Sequence, residues 1–136
     1  MFESDFIRVP RPFIRRFGLN TAVMLSEIYS EYTYWKEQNC LQKGGWFFST
    51  IENMYNNTGL SKHQQLVACK ELETYGIIKV KYYGMPKKRY FKFDTTMLNR
   101  LYSDFRSHSN QCTESSNVDE FIDAVTQTAP VFQHSF

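Results

Sequence analysis

The stretch from Gly59 to Phe93, GLSKHQQLVACKELETYGIIKVKYYGMPKKRYFKF, restricts the fold of this chain more than any other part of it. Ser61 is an N-cap, and Gln64 three residues on can reach back to the cap's backbone, the capping-box pattern that opens a helix. Gly76 follows Tyr75, where a left-handed residue closes a helix. Beyond it, Ile77 to Tyr83 and Arg89 to Phe93 are rich in β-branched and aromatic residues. They flank Gly84-Met85-Pro86-Lys87-Lys88, so the pattern predicts a β-hairpin. Counting by three and four along the helix turns Gln65, Ala68, Cys69 and Leu72 inward. The outward set is then Lys62, His63, Leu66, Val67 and Lys70.

Upstream, Ser49-Thr50-Ile51-Glu52 forms a second capping box. It opens a short helix ending near Asn56, and Asn57-Thr58-Gly59 has the chemistry of a tight turn. Two capped helices joined across a glycine turn make a helix-turn-helix. Followed by a basic hairpin, they give the order of a winged helix. The expected fold class is therefore α+β: a winged helix-turn-helix with a three-helix core, a basic β-hairpin wing and a C-terminal helical extension. A long helix from Asn20 to about Gln38 supplies another core element through Leu25, Ile28, Tyr32 and Trp35. Its remaining aromatics, Tyr29 and Tyr34, read as core and rim packing. Phe6 to Val9 reads as a short strand ended by Pro10, Pro12 to Phe17 as one or two helical turns, and Trp46-Phe47-Phe48 as a short strand. After the hairpin, Asp94 caps a helix over Thr95 to Phe105. Residues 1–105 thus form the winged-helix domain. Residues 106–136 are a polar linker and a short acidic amphipathic tail, in which Phe121, Ile122 and Val125 share one helical face.

Several function classes are disfavoured. No apolar run approaches the ~20 residues that span a bilayer, and no membrane contact is expected. The N-terminal Met-Phe-Glu-Ser-Asp lacks the features of a secretory signal. Cys40, Cys69 and Cys112 are widely spaced with no CxxC pair, which suits a reducing cytoplasm and gives no disulfide framework or zinc site. His63, His108 and His134 are scattered, Gly44-Gly45 reads as a turn, and Glu71/Glu73 and Asp119/Glu120 read as solvated faces. Neither an enzyme, a metal nor a cofactor is expected. Charge is asymmetric: residues 1–101 hold 15 Lys/Arg against 9 Asp/Glu, while 102–136 hold only Arg106 against five acids. A basic body of this kind suits an anionic partner.

The residues that could meet such a partner fall in two groups. At the start of the second helix, Ser61, Lys62, His63 and Gln64 can reach base edges or phosphates, with Lys70 further along. In the hairpin, Lys79, Lys81, Lys87, Lys88, Arg89 and Lys92 appear without an acidic residue among them. Alternation sets Lys79, Lys81 and Tyr83 on one face and Ile78, Val80 and Tyr82 on the other. Lys87-Lys88-Arg89 is expected at the wing tip, where a wing meets the sugar-phosphate backbone. Double-stranded DNA is the partner this pattern indicates.

The same stretch resembles the winged-helix domains of phage, plasmid and integrative-element replication proteins of Gram-positive bacteria, of the DnaD-like N-terminal type. The matching pieces are Gly59-Leu60-Ser61, Gln64-Gln65, Leu72, Gly76, Ile78-Lys79-Val80 and Gly84-Met85-Pro86 followed by Arg89-Tyr90-Phe91. Phe6 to Pro10 and Trp46 to Ser49 fit the layout as well. The resemblance implies DNA binding in replication initiation or its control. Where relatives often carry a basic residue after Gln-Gln, this chain has Leu66, which moves weight from the helix to the wing. Two alternatives stay open. One is a dimeric transcriptional regulator. The other is a phage-encoded winged helix that inhibits a host system, binding protein through the Leu66/Val67 face or the 118–125 tail.

Overall fold

The computed structural model describes residues 5–109; the expected linker and tail helix beyond them lie outside the described residues. Five helices and three strands follow in the order α1 (Arg11–Phe17), α2 (Leu19–Glu37), β1 (Trp46–Phe48), α3 (Ile51–Thr58), α4 (Lys62–Thr74), β2 (Ile78–Tyr83), β3 (Lys88–Phe93) and α5 (Thr95–Ser109). The sheet is antiparallel in the order β1-β3-β2. This is a winged helix of the α+β class, with α2, α3 and α4 as its three-helix core and β2–β3 as its wing.

Helix α2 is the hub. From Thr21 to Tyr29 it is buried almost all round, because α1, α3 and α4 pack against different sides of it. Only its second half keeps a narrow stripe, with Tyr32 and Trp35 packed on the core edge. The inner face of the sheet closes the core with Phe47, Ile78, Phe91 and Phe93, all fully or nearly fully buried. Each such aromatic stabilises the fold by about 1.5–3 kcal/mol through removal of apolar area from water. Helix α5 returns to α1 through edge-to-face rings, with Phe13 5.5 Å from Tyr102 and Phe17 5.5 Å from Phe105; Phe17 also meets Tyr75, the C-cap residue of α4, at 5.2 Å.

Local sequence chemistry explains the boundaries of α4. The Ser61 hydroxyl accepts from the Gln64 N–H at 3.2 Å and the Gln64 carboxamide accepts from the Ser61 N–H at 2.8 Å, which is the capping box the sequence predicts. At the other end Gly76, at φ +79°, lets its own N–H reach the Glu73 carbonyl while the Ile77 N–H reaches that of Leu72. That pair of bonds is a Schellman closure, and Leu72 and Ile77 are both fully buried beneath it. Replacing Ser61 with alanine is expected to lower the unfolding free energy by about 1 kcal/mol in urea denaturation, because one helix N–H loses its acceptor.

Four expectations shift. Phe6 to Val9 joins no strand; Val9 packs on the core edge and Pro10 turns the chain into α1 as its extended N-cap. Helix α2 starts from Gly18 instead of Asn20, with no side-chain cap. The cap of α3 is Thr50, whose hydroxyl accepts from the Asn53 N–H at 3.0 Å, so the Ser49 box is displaced by one residue. Ser49 is instead tied to β3: its N–H donates to the Arg89 carbonyl at 2.9 Å, and its own carbonyl accepts from the Arg89 side chain. Helix α5 runs to Ser109, past the boundary expected at residue 105; Asp94 caps it as predicted, accepting from the Met97 N–H at 3.0 Å.

Candidate nucleic-acid interface

A buried polar latch fixes α4 relative to the wing. Gln65, fully buried on the inner face of α4, donates its amide to the Ile51 carbonyl at 3.1 Å and the Leu60 carbonyl at 3.0 Å. Its carboxamide oxygen accepts from Arg89 Nη1 at 2.9 Å. Arg89 reaches it from β3 and also donates to the Ser49 carbonyl at 3.0 Å and the Thr50 carbonyl at 3.3 Å. Its guanidinium stacks 4.7 Å from the centre of the Phe91 ring. One side chain thus ties α3, the turn and α4 together, and the other joins them to the sheet.

This position corrects the expectation for Arg89. It is 2 % exposed and lies on the same strand face as Phe91 and Phe93, so it points into the core and offers nothing to a ligand. Burial pushes its pKa down from the usual arginine value, while Cys69, Tyr82 and Glu31 act to raise it. Beside it, burial pushes the Cys69 thiol up to about 11, so this cysteine is an inert packing group. Behind the latch Glu27 and Glu31 stand one turn apart on α2. Burial, followed by the neighbouring Glu27, raises Glu31 to about 8, with Ser49 and Arg89 acting in the opposite direction. Glu27 is held by Asn57 of α3, whose amide donates to its carboxylate at 3.0 Å.

The other predicted residues are at the surface. Ser61, Lys62, His63, Gln64 and Lys70 are exposed on α4, and Gln65, Ala68, Cys69 and Leu72 are buried, so the inward and outward faces are those the spacing predicts. Leu66 and Val67 are 40 % and 52 % exposed on that outward face. In the wing, Lys87 lies in the turn that joins β2 to β3, beside the almost fully exposed Met85. Lys79, Lys81 and Lys88 are exposed on the outer face of the sheet, together with Lys92. The two lysine groups are therefore carried by separate elements, α4 and the sheet, which the latch holds in one frame. Among the described residues no cluster of His, Cys, Asp or Glu could hold a metal ion, and no helix is long and apolar enough to cross a membrane.

The sequence reading missed the aromatic side of the outer sheet face. Trp46, Phe48 and Tyr90 sit among those lysines, and Tyr83 is 67 % exposed. The signal was in the same alternation that separated Lys79 and Lys81 from Ile78 and Val80, extended to the neighbouring strands.

Fold and surface together define a winged-helix domain with cationic groups on its third core helix, α4, and on its wing. No family model and no curated protein matches the chain. A solved structure described as the N-terminal domain of a DNA binding protein is similar in fold, with a TM-score of 0.53 at 12% identity, over 83% of this chain and 92% of that one. At that identity the likeness is one of fold.

Proposed function

We propose that this chain is a non-enzymatic DNA-binding winged helix that grips duplex DNA through the outward face of α4 and the basic wing. The observation that carries the reading is the pairing of a rigidly latched helix, with Lys62, His63, Gln64 and Lys70 exposed, with a wing whose strands hold lysines and no carboxylate. The capped N-terminus of α4 favours an anion, and the lysines neutralise backbone phosphates. The DNA-binding description of the structural neighbour supports the same reading. The resemblance to mobile-element replication proteins makes initiation of replication, or its control, the cellular role in this proposal, with the cytoplasm as its compartment.

Anisotropy titration of labelled duplex DNA at several salt concentrations tests it. Changing Lys62, Lys70 and Lys87 together to alanine is expected to weaken binding uniformly across sequences and to reduce the salt slope by about 0.9 for each phosphate no longer neutralised. Absence of duplex binding at low salt overturns the proposal. The exposure of Leu66 and Val67 favours a second reading, a protein-binding face on α4. Substituting both with serine would then abolish partner capture and spare DNA binding.

A further inference from the structure

The outer face of the sheet adds to the wing lysines a set of aromatic rings that duplex binding does not use. Register places Trp46 and Phe48 of β1 beside Lys92 and Tyr90 of β3, and these beside Lys79 and Lys81 of β2; Tyr83 pairs with Lys88. Aromatic rings and ammonium groups therefore interleave over three adjacent strands, and these strands hold no acidic residue. Lys81 Nζ lies 4.3 Å from the centre of the Trp46 ring, 5.7 Å from Tyr83 and 5.8 Å from Tyr90. Lys88 Nζ lies 5.0 Å from the Phe48 ring. Phe48 and Tyr83 are 6.0 and 6.4 Å from Tyr90, ring centre to ring centre. Among the described residues, the lysines and Tyr83 are exposed and the other three rings half-buried, so each ring keeps part of its surface open.

We propose that this face is a platform for single-stranded nucleic acid, with bases stacked on Tyr83, Tyr90, Trp46 and Phe48 and phosphates held by Lys79, Lys81, Lys88 and Lys92. The occupant follows from matching each half of the pattern. Lysines alone would accept any polyanion. Partly accessible rings beside them suit a polyanion that also presents flat π-faces at each repeat. A duplex keeps its base faces inside its own stack and offers only edges and phosphates, so it leaves the rings unused. An acidic peptide matches the charges and not the rings. The lysines now resting over the rings are on flexible stems, and base stacking outweighs a solvent-exposed cation–π contact. Sequence preference is expected to be weak, because every base has a face to stack.

The test uses the full chain, with a labelled oligo-dT of about twenty nucleotides and a duplex of equal length measured in parallel. Tyr83 is largely exposed, so its truncation spares the fold. Tyr83→Ala is expected to weaken oligo-dT binding about tenfold and to change duplex affinity by less than about twofold. Oligo-dT is expected to quench the emission of Trp46. Trp46→Phe keeps a ring, so it should retain binding and lose most of the quench, with Trp35 left as an internal reference. Unchanged oligo-dT affinity in Tyr83→Ala overturns the proposal, as does displacement of oligo-dT by polyglutamate at equal charge. Binding of duplex without oligo-dT overturns it alone. Binding of oligo-dT without duplex leaves it standing and removes the duplex reading.

Discussion

Arg89→Ala is expected to lower the unfolding free energy by about 3–5 kcal/mol, the largest effect expected from removing any single charged side chain of this domain. The side chain is 2 % exposed and gives three hydrogen bonds, to the carbonyls of Ser49 and Thr50 and to Gln65. Alanine removes those donors, leaves the Gln65 carboxamide oxygen without its partner, and opens a void against the Phe91 ring. It also takes a guanidinium away from Glu31, whose ionised form Arg89 favours. Lysine should restore little, because a single ammonium cannot reproduce the fork that serves the adjacent Ser49 and Thr50 carbonyls and Gln65 on α4. Urea denaturation with circular dichroism reads the effect directly. A loss below about 1 kcal/mol would mean that the latch is not what holds the wing to the helix-turn-helix.

The second large effect is on pH. The Glu31 carboxyl is raised from its ordinary 4.5 to about 8 by burial and by Glu27. Between those two values the folded chain holds a proton that the unfolded chain has released, so stability falls as pH rises through this window. One proton held in this way costs up to about 1.4 kcal/mol per pH unit. Glu31 is half-buried and partly screened by solvent, so the net fall between pH 5 and 8 is put at about 2 kcal/mol. Glu31→Gln keeps the shape and removes the titration. It should flatten the profile and make the variant more stable than the parent at pH 8 by about 1–2 kcal/mol. Parallel pH profiles for the parent and Glu31→Gln would refute the assignment.

Much of this fold was legible in residues with local rules. Ser61 with Gln64, Gly76 and Asp94 act within a few residues of themselves, and their patterns name the helix ends directly. The buried face of α4 was readable because it has one. Helix α2 was readable only in part, since its first half is surrounded and no stripe distinguishes in from out. The Ser49 cap failed because two adjacent hydroxyl residues compete for that role, and the pairing of Ser49 with β3 decided for Thr50. Arg89 was misplaced for an instructive reason. Grouping it with Lys87 and Lys88 followed composition, whereas alternation from Phe93 through Phe91 already turned it inward. What no local rule could provide is the convergence of Glu27, Glu31, Gln65 and Arg89, which depends on tertiary packing across α2, α4 and β3.

The Gln65–Arg89 latch separates the frame of this domain from its readable surface. Its two members hold the helix-turn-helix and wing together from inside, while positions 62, 63, 66, 67 and 70 project outward without bearing on that bond network. Those five outward positions can therefore be randomised as a set with little effect on folding. The domain is in that sense a replaceable outer surface on a fixed mount, suited to selection of new binding surfaces on display libraries, provided that residues 65 and 89 are left alone.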